Sequence, residues 1–237
     1  MRVVFVHGAC VRDGAWWWEP AARLLQAHGI ASVTPGLPSC GESGRPGGLD
    51  GPGLPEDVEA VRAVLQNSSE PTVVVAHSYG GIVVAEAAAG VPAVQHLLLI
   101  SSYLPVPGES LSSFGDGSPA PFLDLDPVSG TFGVRPDALA ATFLQDCPPQ
   151  IVIDAPDHLA RQSLSVVQHP VAVSAWQQLP TTYLVCADDR GTPAAAQREF
   201  ARRADNVVEL DAGHHPFLSR PDAVADLISS LVRPLSG

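Results

Sequence analysis

Residues 72–90, TVVVAHSYGGIVVAEAAAG, constrain this chain more than any other stretch. Thr72 to Val75 is a β-branched run and reads as a buried strand. Ile82 to Ala89 is apolar and Ala-rich and reads as a helix that stops near Gly90. Between them, Ala76-His77-Ser78-Tyr79-Gly80-Gly81 leaves room only for a tight turn. A strand, a sharp turn centred on Ser and a helix together lift one hydroxyl above a sheet edge. The helix start behind it offers N–H groups and a positive dipole end to a developing oxyanion. Neighbouring backbone passes close to such a turn, so the positions two before and two after the Ser must be small. Gly80 meets that need outright, and Ala76 exceeds it by one methyl. An ordinary Gly-rich connection with an incidental Ser has the same appearance, so the rest of the chain must decide.

The flanking sequence alternates strand and helix. Arg2 to Val6 reads as a buried strand running into His7-Gly8-Ala9-Cys10. A helix follows from about Trp18 to His28, then a strand from Ile30 to Thr34. A Gly- and Pro-rich loop, Pro35 to Pro55, leads to a helix over Glu56–Gln66. After the central unit comes another buried strand, Val94 to Ser101. Near-continuous apolar strands alternating with helices predict a mostly parallel, doubly wound α/β sheet. The alternation fails between Tyr103 and Pro180, where prolines break the chain and two helices are expected, Pro136–Gln145 and Pro156–Gln168. This stretch, 103–180, is read as a cap over the sheet's C-terminal edge, with 1–102 and 181–237 as the core. The pattern resumes with a strand Thr181–Cys186, a helix Pro193–Ala204, a strand Asn206–Leu210 and a last helix from about Arg220 to Val232.

Composition narrows the function classes. A length of 237 residues with 46% hydrophobic content suits one domain. The net charge of −12 repels phosphate backbones and anionic lipid, so neither nucleic acid nor a membrane surface is an expected partner. Lysine is absent, which removes Schiff-base chemistry. No apolar run reaches the roughly 20 residues of a spanning helix, and Val3 to Val6 reads as a strand rather than a signal peptide. A cytoplasmic location is expected. Cys10, Cys40, Cys147 and Cys186 lack metal-ligand spacing and are read as reduced. No metal and no cofactor are expected.

A Ser hydroxyl needs a base to take its proton and an acid to orient that base. Candidates follow the two later strands. Asp188 and Asp189 come after Cys186, and His214 and His215 come after Leu210 and Gly213. Strand carboxyl ends are where such loops converge. Gly213 would let the chain turn to present His214, whereas Pro216 restricts the backbone of His215. Spacing alone does not separate Asp189 from Asp188, and Asp211 lies too near the base in sequence. The oxyanion donors are expected to be the backbone N–H of Tyr79 and of Ala9. His28, His96 and His169 read as surface or core residues, while His158 has a route to the pocket from the cap.

Val6-His7-Gly8-Ala9 with Gly14-Ala15-Trp16, His77-Ser78-Tyr79-Gly80-Gly81, Cys186 to Pro193 with Gln197, and Gly213-His214-His215-Pro216 through Pro221 resemble one branch of the α/β-hydrolases. That branch holds plant methylesterases, hydroxynitrile lyases and bacterial carboxylesterases such as pyrethroid hydrolases. The resemblance implies an α/β-hydrolase fold with a short, mainly helical cap inserted after the sixth strand. It implies Ser78 as nucleophile, Asp189 as acid and His214 as base, without cofactor. The lyases of the branch carry Lys beside the catalytic His; here the position is His215, which speaks against cyanohydrin cleavage. The expected substrate is a small to medium apolar carboxylic ester, met by a monomer or a homodimer. Cys10, Trp16, His77, Tyr103 and His158 are candidate pocket residues. A lactonase or thioesterase would use the same triad. A weakly catalytic small-molecule receptor and a cofactor-free C–C lyase or oxygenase are alternatives of other classes.

Overall fold

The computed structural model describes residues 1–115 and 117–232. Its strands are β1 (Arg2–Val6), β2 (Ala31–Val33), β3 (Thr72–His77), β4 (Val94–Ile100), β5 (Leu123–Asp126), β6 (Thr131–Val134), β7 (Gln162–Ser163), β8 (Thr181–Cys186) and β9 (Asn206–Leu210). The helices are α1 (Gly14–Ala27), α2 (Leu54–Gln66), α3 (Gly80–Ala87), α4 (Pro136–Phe143), α5 (Pro149–Asp154), α6 (Ser165–Gln168), α7 (Ala194–Ala201), α8 (Pro216–Ser219) and α9 (Pro221–Val232). Six strands form one sheet in the order β2-β1-β3-β4-β8-β9, and every neighbouring pair is parallel.

The period of two along each central strand splits the core into two layers. Val3, Phe5, Val73, Val75, Leu98, Ile100 and Leu184 pack with Trp17, Trp18 and Leu25 of α1, Phe217 of α8 and Ile228 of α9. Val4, Val6, Val74, Ala76, Leu97, Leu99 and Val185 pack with Val61 and Leu65 of α2 and with Ile82 and Val83 of α3. Both faces are buried, which is why these strands read as unbroken apolar runs. The edge strands β2 and β9 are largely exposed. Among the described residues no helix is long and apolar enough to cross a membrane.

Residues 103–180 depart from the expectation in three ways. They follow β4, the fourth strand of this chain rather than the sixth, because the chain's first strand is already an interior strand paired with β3. Beside their helices they hold something the expectation lacked: β5, β6 and β7 form an antiparallel sheet of their own. The helix expected over Pro156–Gln168 does not form. Its backbone is spent on distant partners, with Ala160 N–H donating to Cys10 O at 2.9 Å and Leu164 N–H to Gly130 O at 2.9 Å. Leu159 bridges to Val11, β7 pairs with β6, and only a 3-10 turn over Ala155–His158 and the four residues of α6 remain helical.

Candidate active site

Ser78 sits in the turn from β3 to α3 with φ at 49°, the left-handed region that non-glycine residues avoid. Hydrogen bonds to its backbone hold it there, among them Gly81 N–H to Ser78 O at 3.1 Å. Ser78 N–H donates to Ile100 O at 3.2 Å, and Ser102 Oγ donates to the Ser78 carbonyl at 2.6 Å. The small-residue requirement is literal at Gly80, where a Cβ would lie 2.6 Å from Val6 O. Ser78, Ala9, Tyr79 and His214 all line one cavity of about 460 Å³.

His214 Nδ1–H donates to Asp189 Oδ2 at 2.7 Å. Asp189 is buried and richly solvated by the protein. Ser101 Oγ donates to Oδ2 at 2.5 Å and Gln197 Nε2 at 2.9 Å, while the N–H groups of Gly191 and Thr192 donate to Oδ1 at 2.7 and 2.9 Å. Burial alone pushes this carboxyl up. The His214 charge and hydrogen bond, then Ser101 and Thr192, outweigh it and leave the group below the usual Asp range. Asp188 and Asp211 are exposed, and of the three candidates it is Asp189 that meets the ring. No hydrogen bond joins Ser78 Oγ to His214 among the described residues. In unliganded sites this contact commonly tightens only with substrate.

His215 has a different partner. Its Nδ1–H donates to Phe143 O at 3.0 Å, and burial, then the neighbouring His214 charge, pushes its pKa down to about 3. His77 donates Nε2–H to His214 O at 2.9 Å and is held well below the ordinary range, again by burial first. These three buried histidines are a metal-capable group, with ring nitrogens within 4.8 Å of one another. Ligands of one tetrahedral zinc would stand about 3.4 Å apart. Each ring has also committed its N–H to an oxygen acceptor.

Among the described residues neither the Ala9 nor the Tyr79 backbone N–H has an acceptor within the chain. Both residues line the cavity that Ser78 lines. Of the candidate pocket residues, Cys10, His77 and Tyr103 are on the wall. Cys10 is inert there, its thiol pushed up to about 12 by burial. Trp16 and His158 are not on the wall. They stack on each other at 4.0 Å with 10° between planes, and His158 Nδ1 lies 3.3 Å from Asp13 Oδ2. Trp17 lines the cavity instead, its Nε1–H donating to His158 O at 3.1 Å. Phe114, Phe122, Phe132 and Phe143 supply apolar wall, and no Asp, Glu or Arg is among the described lining residues.

The sequence reading missed Ser101. It is fully buried, has φ at 43°, and its Oγ is also 3.3 Å from His214 Nδ1. A small polar residue directly after an apolar strand was the available signal, at the edge where such loops gather.

Parallel strands that deliver a serine, an aspartate and a histidine to one sheet edge define the α/β-hydrolase class. The chain belongs to the alpha/beta hydrolase family, whose family model matches residues 3–227. It is similar to the alpha/beta hydrolase nvfD of Aspergillus novofumigatus, 29% identical over 73% of this chain and 76% of that protein. A pyrethroid hydrolase of Sphingobium wenxiniae is 24% identical over 96% of this chain and 86% of its own length. Methyl jasmonate esterase 1 of Vitis vinifera is 26% identical over 98% of this chain and 97% of its own. The solved structure of a pyrethroid hydrolase from Sphingobium faniae superposes with a TM-score of 0.84 at 24% identity, covering 98% of this chain and 96% of that one, a likeness of fold.

Proposed function

We propose that this chain is a serine carboxylesterase acting on uncharged, largely apolar esters. The observation that carries the reading is a strained serine on the wall of the cavity that also holds the free edge of an Asp-bound histidine. Ser78 Oγ attacks the ester carbonyl carbon while His214 Nε2 takes its proton. The oxyanion rests on the N–H groups of Ala9 and Tyr79. Collapse breaks the bond to the alkoxy oxygen, which leaves as the alcohol with the proton from His214. Water then adds to the acyl carbon, giving its proton to His214, and Ser78 leaves with that proton as the acid is released. The apolar wall, with no Asp, Glu or Arg among the described lining residues, favours neutral substrates on both sides of the scissile bond. Hydrolysis of p-nitrophenyl esters of increasing acyl length tests this. An optimum in chain length is expected, with kcat falling by about 10⁴-fold or more in Ser78→Ala. Equal, near-background rates in both proteins overturn the reading.

A further inference from the structure

A buried polar chain runs beneath the cavity, and the chemistry above does not use it. It starts at Cys10, beside Ala9. Cys10 has φ at 58°, a left-handed backbone for a non-glycine residue. Both of its backbone polar groups go to the cap: its N–H donates to Gln162 Oε1 at 3.0 Å, and its carbonyl accepts from Ala160 N–H at 2.9 Å. Gln162 Nε2 then donates to Ser39 Oγ at 2.8 Å. Ser39 donates to Asp57 twice, Oγ to Oδ2 at 2.5 Å and N–H to Oδ1 at 2.8 Å. Tyr79 OH donates to the same Oδ2 at 2.8 Å. Gln162, Ser39, Asp57 and Tyr79 are all fully buried.

The direction of the links from Cys10 to Ser39 is forced, and those at Asp57 follow with its carboxyl ionised. A backbone N–H only donates, so Gln162 must turn its oxygen to Cys10 and its amide N–H₂ to Ser39. Ser39 accepts there, so its own proton goes to Asp57, where the chain ends on a carboxylate that accepts three bonds. The two ends are Cys10, next to one proposed oxyanion donor, and Tyr79, whose N–H is the other. A well-packed apolar set in the same space would serve stability as well or better. A fully satisfied polar chain instead imposes a unique geometry.

We propose that Gln162 is a positioning residue of the oxyanion hole. From the cap strand β7 it locks the strained Cys10 turn and, through Ser39 and Asp57, ties it to the Tyr79 side of the hole. The proposal rests on the ester-hydrolysis reading above. The oxyanion donors are then set jointly by the core and the cap.

The test is a double-mutant cycle of Gln162→Leu and Tyr79→Phe on a p-nitrophenyl ester, with Gln162→Glu as a third variant and thermal unfolding as the control for folding. Loss of a whole oxyanion donor costs roughly 10²–10³ in rate, so misplacing one is expected to lower kcat by roughly 10- to 100-fold. KM is expected to stay within about threefold, because ground-state contacts are untouched. The near-isosteric Tyr79→Phe should lose less, roughly three- to tenfold, and the double variant should be no slower than about twice the worse single variant. In Gln162→Glu the carboxylate has no proton for Ser39. Its kcat relative to wild type should therefore recover as pH falls and the new carboxyl protonates, a response that loss of packing would not give. A folded Gln162→Leu with kcat within about twofold of wild type overturns the proposal, as do single effects that multiply in the double variant. Wild type and Ser78→Ala run alongside. Equal rates in those two sink the hydrolase reading and this proposal together, whereas an active wild type with an unaffected Gln162→Leu sinks the positioning role alone.

Discussion

The loops at the sheet edge and the segment that covers them are built by opposite rules. At the edge, polar side chains meet polar side chains: Asp189 collects His214, Ser101 and Gln197 within 2.9 Å. The covering segment brings phenylalanines to the cavity, and it touches the loops mainly with backbone carbonyls. Phe143 O takes His215, and His158 O takes Trp17 and Arg12. On the proposed reading the edge moves protons, while the cover excludes water and holds loops still. Some side chains of the cover reach the loops as well: Gln145 Nε2 donates to Asp188 O, Asp146 Oδ2 accepts from Gly213 N–H, and Gln162 joins the buried polar set of the core.

Changes at the edge should then fall on kcat, and the largest expected in that group after loss of the nucleophile is Asp189→Asn. Oδ1 receives two backbone N–H groups, so an amide must keep its oxygen there and turn its NH₂ toward His214. The ring then has to carry its proton on Nε2, where it cannot accept one from Ser78. A fall in kcat of about 10⁴ is expected with the fold retained. A loss below about tenfold would mean that the carboxylate does not set the tautomer, and would remove the contrast between edge and cover. Ser101→Ala should cost less, about tenfold in kcat, the scale of one hydrogen bond to a charged group. With one donor fewer the carboxylate holds the imidazolium better, so the acid limb of the kcat/KM profile should move to higher pH. An unmoved limb would reduce Ser101 to packing.

The same contrast explains what the sequence discloses. The core is legible because both faces of β1, β3, β4 and β8 are buried, and apolar runs with small turn residues follow from that. Asp189 and His214 stand where such runs end. Their candidacy is legible, but the choice between Asp189 and Asp188 needs the resemblance or the structure. The cover is legible only in part: α4 forms where a helix over Pro136–Gln145 is expected, but residues 159–163 give their backbone bonds to Cys10 and β6 instead of to a local helix. Apolar spacing cannot report that exchange. Trp16 and His158 show the same limit, since aromatic character predicts burial but not on which side of a helix. Ser101 and Gln162 are single polar residues whose partners lie 88 and 152 positions away. The place of Ser101 after an apolar strand draws attention to it, but no local pattern discloses the partner of either residue.

The smallest expected effect probes the joint between edge and cover, where His215 meets Phe143. Buried among His77, His214 and Trp17, His215 stays neutral to about pH 3, whereas in the unfolded chain it protonates near pH 6.5. Between those values the unfolded state binds a proton that the fold refuses. Stability must therefore rise with pH across the window, by at most roughly 1.4 kcal/mol per pH unit for each such ring. His77 adds in the same direction. Asp189, with its depressed pKa, contributes stability above the unfolded value of about 3.9 and loses it only below that, whereas Asp57, pushed up by burial, works against the histidine slope, so the His215 share is read over pH 4.5–6.5 from the difference between wild type and variant. Chemical unfolding across this range should show wild-type stability falling toward pH 4.5. In His215→Asn, which keeps a donor for Phe143 O but cannot titrate, the slope should be shallower by about one proton. Parallel curves would mean that His215 takes up a proton in the folded state. Water would then reach the joint, and the cover would not be sealing the edge that the chemistry depends on.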